Sequence, residues 1–87
     1  MERIGKWLVV ERIPPRQGRV TPRYVIKNVK GHFLGYIGWY PSWRQFAMSP
    51  VEGTYFNAGC LQDITRFLAR INREQRERAA QRSNGKG

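Results

Sequence analysis

The chain has one cysteine, one histidine and six acidic residues among its 87. A single thiol, Cys60, excludes an internal disulfide and any multi-cysteine metal cage, and it suits a reducing cytoplasm. With His32 as the only imidazole and so few carboxylates, the sequence has no cluster with metal-ligand spacing. Cys60 and His32 are the one possible nucleophile–base pair, but a lone thiol early in a helix is more simply a small core residue. The expectation is therefore a protein that is not an enzyme and that uses no cofactor and no metal. No run approaches the roughly 20 apolar residues of a membrane span. The start, Met-Glu-Arg-Ile-Gly-Lys, lacks the apolar run of a signal peptide, so a cytoplasmic protein without a membrane partner is expected.

Basic residues are abundant. Sixteen Lys and Arg, twelve of them Arg, against six acids give a net charge of +10. A small domain with that excess repels itself unless a polyanion relieves it, and nucleic acid is the commonest such partner. At this length one small core is all the chain can hold. Residues 1–82 read as a single domain, with 83–87 as a disordered tail.

The chain is organised around Lys30–Met48, which holds six of its eleven aromatic residues. Tyr40-Pro41-Ser42-Trp43 puts Pro at the second position of a tight turn, where its fixed φ is already correct. The flanks are aromatic and β-branched, so the unit reads as a β-hairpin. Gly35 and Gly38 interrupt its first strand, and glycine within a strand marks a bulge, a bend or a close approach. A bulge at Gly35 would let Leu34, Ile37 and Trp39 face inward together, with Phe46 joining them from the return strand. Tyr36, Tyr40 and Trp43 remain for display.

Before the hairpin, Lys6–Ile13 reads as a strand with Trp7, Val9 and Ile13 on one face and Leu8 and Val10 on the other. Pro14-Pro15 ends it, since neither residue donates to a ladder. The loop Pro14–Pro22 carries Arg16 and Arg19, and Arg23 opens a second strand, Arg23–Val29. After the hairpin, Thr54–Phe56 suggests a short edge strand and Asn57 a helix N-cap. Leu61, Ile64, Leu68 and Ile71, with Cys60 and Phe67 beside them, form an amphipathic stripe. Beyond Ile71 the stripe stops while helix propensity persists, which predicts a helix projecting past its core. The fold class expected is α+β: a three- to four-stranded antiparallel sheet packed against one long C-terminal helix.

Two patterns point to nucleic acid. Tyr36, Tyr40, Trp43 and Arg44 interleave exposed aromatics with charge, which is how a sheet stacks bases while holding the backbone. Arg66, Arg70 and Arg73 recur at i, i+4 and i+7 on the helix, a row able to follow phosphates. With Arg16 and Arg19 of the loop and Arg23 just beyond it, these ten residues are the candidate binding set for DNA or RNA. The competing readings are ordinary ones: core aromatics, a solvated helix face and a charged connection.

The motif Leu34-Gly35-x-Ile37-x-Trp39-Tyr40-x-x-Trp43-Arg44-Gln45-Phe46, followed by Thr54-x-Phe56 and Cys60-Leu61-x-x-Ile64-x-x-Phe67-Leu68, resembles a group of small uncharacterised proteins encoded by bacteria and their phages. The resemblance covers about Tyr24 to Asn72 and implies a setting in mobile elements, without assigning an activity or residue roles. The β-β-β-α order is also similar to the DNA-reading arm-binding domains of integrases, an analogy of fold order alone. A second expectation follows from that setting: a protein-interaction module that docks on and inhibits a host nucleoprotein complex, such as defence or transcription machinery.

Overall fold

The structure, a computed structural model, describes residues 1–84, with side chains described as far as residue 81. Five strands, β1 (Glu2–Ile4), β2 (Leu8–Ile13), β3 (Arg23–Asn28), β4 (Phe33–Tyr40) and β5 (Gln45–Pro50), precede one helix, α1 (Ala58–Asn84). The strands form an antiparallel meander in the order β1-β2-β3-β4-β5. This is the α+β sheet and C-terminal helix expected, with a strand more than the three or four read from sequence. The additional strand is β1. Only its Ile4 is buried, so its three residues show no alternation from which a strand could be read. Thr54–Phe56 stays irregular and adds no strand.

One face of the sheet is covered by α1. Leu8 and Val10 of β2, Ile26 of β3, Ile37 of β4 and Phe46 of β5 point into the core with Ile4. Ile26 and Ile37 are completely buried. Trp7 lies in the turn before β2 and is half exposed, so the other face of β2 is carried by Val9 and Ile13 without it. The helix contributes Cys60, Ile64, Phe67 and Ile71. The buried row is thus shifted from the expected one, because Leu61 is largely exposed and Leu68 only flanks the core. A mixed apolar stretch leaves such a rotation of the helix open until a sheet is present to choose it.

The hairpin bulge is present. Pairing between β3 and β4 passes from Ile26↔Gly35 to Lys27↔Phe33, which leaves Leu34 as the extra residue. Leu34 and Trp39 pack against the core beside Ile37, as a bulge at this point allows. Gly35 has φ +153°, and a Cβ there would lie 2.5 Å from the Ser49 carbonyl oxygen and 2.9 Å from Pro50 Cα. No other residue fits that crossing of β4 and β5.

The helix starts and docks through two asparagines. Asn57 accepts the Cys60 amide N–H at 2.8 Å, the expected N-cap. Asn72 accepts the Phe46 N–H at 2.6 Å and donates to the Phe46 carbonyl at 3.4 Å. Phe46 is on the edge strand, so its carboxamide partner stands where a sixth strand would bond and blunts that edge. Asn72→Ala leaves a half-buried N–H unpaired. A loss of about 1–2 kcal/mol is expected in chemical denaturation, the better helix propensity of Ala offsetting part of the cost. An unchanged midpoint would mean that water replaces the carboxamide.

At 1.5 Å per residue the 27-residue helix is about 40 Å long, most of the molecule's 47 Å longest extent. It continues through Ser83 and Asn84, two residues into the expected tail; residues 85–87 lie outside the described ones. Among the described residues no helix is long and apolar enough to cross a membrane.

Candidate nucleic-acid interface

The sheet face opposite the helix has no covering element among the described residues. Alternation puts Val25 and Lys27 of β3, Tyr36, Gly38 and Tyr40 of β4, and Ala47 of β5 on it. Tyr36 and Tyr40 are 45% and 44% exposed, and Trp43, in the turn after β4, is 64% exposed. In a meander the β2–β3 loop and the β4–β5 turn fall at the same end of the sheet, so the loop carrying Arg16 and Arg19 and the turn carrying Trp43 share one end though distant in sequence.

The β4–β5 turn is the one expected. The Trp43 N–H donates to the Tyr40 carbonyl at 3.2 Å and the Arg44 N–H to the Pro41 carbonyl at 3.2 Å. Arg44 takes φ +52°, a left-handed conformation that closes the turn. The turn folds the Trp43 indole back against Tyr40, with ring centroids 4.6 Å apart and planes tilted by 57°. These two rings make a preformed aromatic platform at the rim of the sheet.

The loop is equally well shaped. A turn closed by the Arg19 N–H on the Arg16 carbonyl, at 2.9 Å, brings Arg16, Arg19 and Arg23 around a notch of about 70 Å³ that Pro14, Pro15 and Thr21 complete. Arg19, Thr21 and Arg23 also line a larger cleft of about 540 Å³ whose floor includes Tyr36 and Gly38. A third hollow, with Tyr36 and Gly38 again in its wall, runs on to Tyr40 and Trp43. The three make one continuous surface: guanidinium groups at one side, tyrosines in the middle, the indole at the other.

Three ion pairs are present among the described residues, and none of them involves the arginines of this surface. Glu11 is 3.5 Å from Lys27, Glu2 pairs with Arg70, and Glu77 lies 4.0 Å from Arg73. Among the described residues, none of Arg16, Arg19, Arg23 or Arg44 has a carboxylate within 4.0 Å. Three guanidinium groups around one notch, with no anion of the chain's own, form a concentrated positive field.

The helical arginines belong elsewhere. Arg66, Arg70 and Arg73 are on α1, across the sheet from Tyr36 and Tyr40. Arg70 donates from both terminal nitrogens to the two Glu2 carboxylate oxygens at 2.7 Å each, and its guanidinium lies 5.0 Å from the Phe67 ring centroid. The hydrogen-bonded guanidinium holds the Glu2 carboxyl below the usual carboxylate range, and the carboxylate raises Arg70 in turn. The pair ties β1 to the helix, a structural role that withdraws Arg70 from the phosphate-binding row. Spacing shows which residues share a helix face, but a partner 68 positions away is visible only in the fold. Arg66 lines a hollow against β1 with Glu2 and Asp63.

Of the ten candidates, Arg16, Arg19, Arg23, Tyr36, Tyr40 and Trp43 line the three joined hollows, Arg44 follows Trp43 in the β4–β5 turn without lining any of them, and the three helical ones do not join them. Sequence reading missed the part played by Gly38, Thr21 and the two prolines of the notch. Glycine within a strand was the available signal for Gly38. No family model matches the chain, and no curated protein or solved structure shows significant similarity to it.

Proposed function

We propose that this chain is a small, non-catalytic nucleic-acid-binding protein that takes its ligand on the open face of the sheet. The observation that carries the reading is the joining of unpaired arginines to displayed aromatic rings on one continuous surface. Phosphates answer the field of Arg16, Arg19, Arg23 and Arg44, and bases or sugars answer the faces of Tyr36, Tyr40 and Trp43. The net charge of +10 supports it, since a polyanion relieves the self-repulsion that such an excess imposes. The resemblance of the hairpin motif to bacterial and phage proteins supports a setting in a mobile element, where small basic proteins commonly manage nucleic acid.

The test is fluorescence anisotropy with labelled DNA and RNA oligonucleotides over a salt series. The parent protein should bind with an affinity that falls linearly in log–log form as salt rises. Tyr36→Ala and Trp43→Ala should each lose about 1–3 kcal/mol of binding with the salt slope unchanged, because a stacked base releases no counterion. Absence of salt-dependent binding near about 50 mM salt would refute the reading.

One observation favours the protein-interaction reading as the runner-up. At the other end of the sheet, Trp7, Val29 and Phe33 are 49%, 44% and 49% exposed, an apolar group with no part in the arginine surface. The Val29 N–H bonds the Trp7 carbonyl at 3.0 Å, which holds the two turns together. Salt-tolerant capture of one host protein that survives nuclease treatment would favour this second reading.

A further inference from the structure

Gly38 is the one glycine of the sheet that the backbone does not require. Its φ lies outside the left-handed range that marks Gly5, Gly18, Gly31, Gly35 and Gly53. A Cβ built on it would meet only Arg23 Cγ, at 3.9 Å, which is ordinary contact. Glycine inside a strand weakens the strand, so any β-branched residue here would serve the fold better.

What the missing side chain provides is space. Tyr36 and Tyr40 stand on the same face two residues to either side, each about 6–7 Å along the strand. Between them Gly38 leaves a gap in the row of side chains, and it lines both the arginine-sided cleft and the hollow that leads to Trp43. The Arg23 stem passes beside the gap, carrying its guanidinium toward the notch shared with Arg16 and Arg19.

Resting on the nucleic-acid reading, we infer that the gap over Gly38 is a slot for one unpaired base, so that the ligand is single-stranded. The base lies between the Tyr36 and Tyr40 rings, its phosphate sits in the Arg16–Arg19–Arg23 notch, and the next base meets the Tyr40–Trp43 platform. A duplex has the phosphates but keeps each base within its stack and pair, so it reaches the arginines and leaves the slot empty.

The test compares a short labelled oligothymidylate with a hairpin duplex carrying the same number of phosphates, for the parent, Gly38→Ala and Gly38→Val. The parent should prefer the single strand. Gly38→Val should melt no lower than the parent, lose about 5- to 150-fold in single-strand affinity with the salt slope retained, and bind the duplex as before. Gly38→Ala should fall between. If Gly38→Val folds and binds the single strand like the parent, the slot is refuted; equal parent affinity for both probes refutes it as well, while leaving nucleic-acid binding intact. Absence of salt-dependent binding to either probe removes the underlying reading and the slot together. Should the valine variant misfold, the amide resonance of Gly38 in the parent decides: it must shift with oligothymidylate and stay in place with the duplex.

Discussion

Phe46→Ala is expected to remove a large share of this domain's stability and to lower its unfolding midpoint steeply. Phe46 is 4% exposed and packs against two aromatic rings at once. Its ring lies edge-on to Tyr24 at 5.8 Å and to Trp39 at 5.3 Å, and Tyr24 continues the cluster to Phe67 of the helix at 5.2 Å. Truncating a buried Phe typically costs about 3–5 kcal/mol, from lost burial and the cavity left behind. A chain of this length commands only about 4–13 kcal/mol in all, so one side chain carries a large share of the total. Circular dichroism during urea or thermal unfolding gives the measurement. Because Phe46 is also the residue whose backbone Asn72 bonds, the loss should spread to helix docking. A midpoint within a few degrees of the parent would mean that the hairpin is not packed on the helix as described. Trp39→Ala should cost less than a fully buried core position would, since Trp39 packs on the core from its margin and is only half buried.

The second large effect concerns binding. Replacing Arg16, Arg19 and Arg23 together by Gln should flatten the slope of log affinity against log salt by about 2 on single strands, at roughly 0.7 per phosphate contact. Referred to about 1 M salt, a slope change of 2 is about a hundredfold loss at about 0.1 M. Stability should hold or rise, because none of the three has a carboxylate partner among the described residues and their mutual repulsion is relieved. The same replacement of Arg66, Arg70 and Arg73 should act in the opposite way. It should lower stability, through loss of the Glu2–Arg70 pair, and leave the salt slope nearly unchanged. If the helical variant flattens the slope and the loop variant does not, the ligand lies on the helix side and the open-face reading falls.

The sequence by itself determined the class of the fold and much of its local chemistry. Tyr40-Pro41 sets the hairpin turn, Gly35 the bulge and Asn57 the start of the helix, because each acts within a few residues of its own position. The display of Tyr36 and Tyr40 was legible too, since alternation about the bulge leaves them no inward position, and Trp43 is displayed by the turn that Pro41 sets. The tertiary structure decided the rest. β1 exists only because β2 offers an edge for it to pair with, and the helix presents Cys60 and Phe67 rather than Leu61 and Leu68 because the sheet selects the rotation that fills its face. The fate of the arginines was decided in the same way. Those at positions 66, 70 and 73 look like one row along the chain, yet Glu2 claims the middle one across 68 residues. Those at 16, 19 and 23 look like scattered loop charge, yet a turn and two prolines fold them around a single notch. Local sequence governs φ, turns and caps because those energies act within a few bonds; which charges are paired and which stand open depends on contacts that exist only once distant strands are side by side.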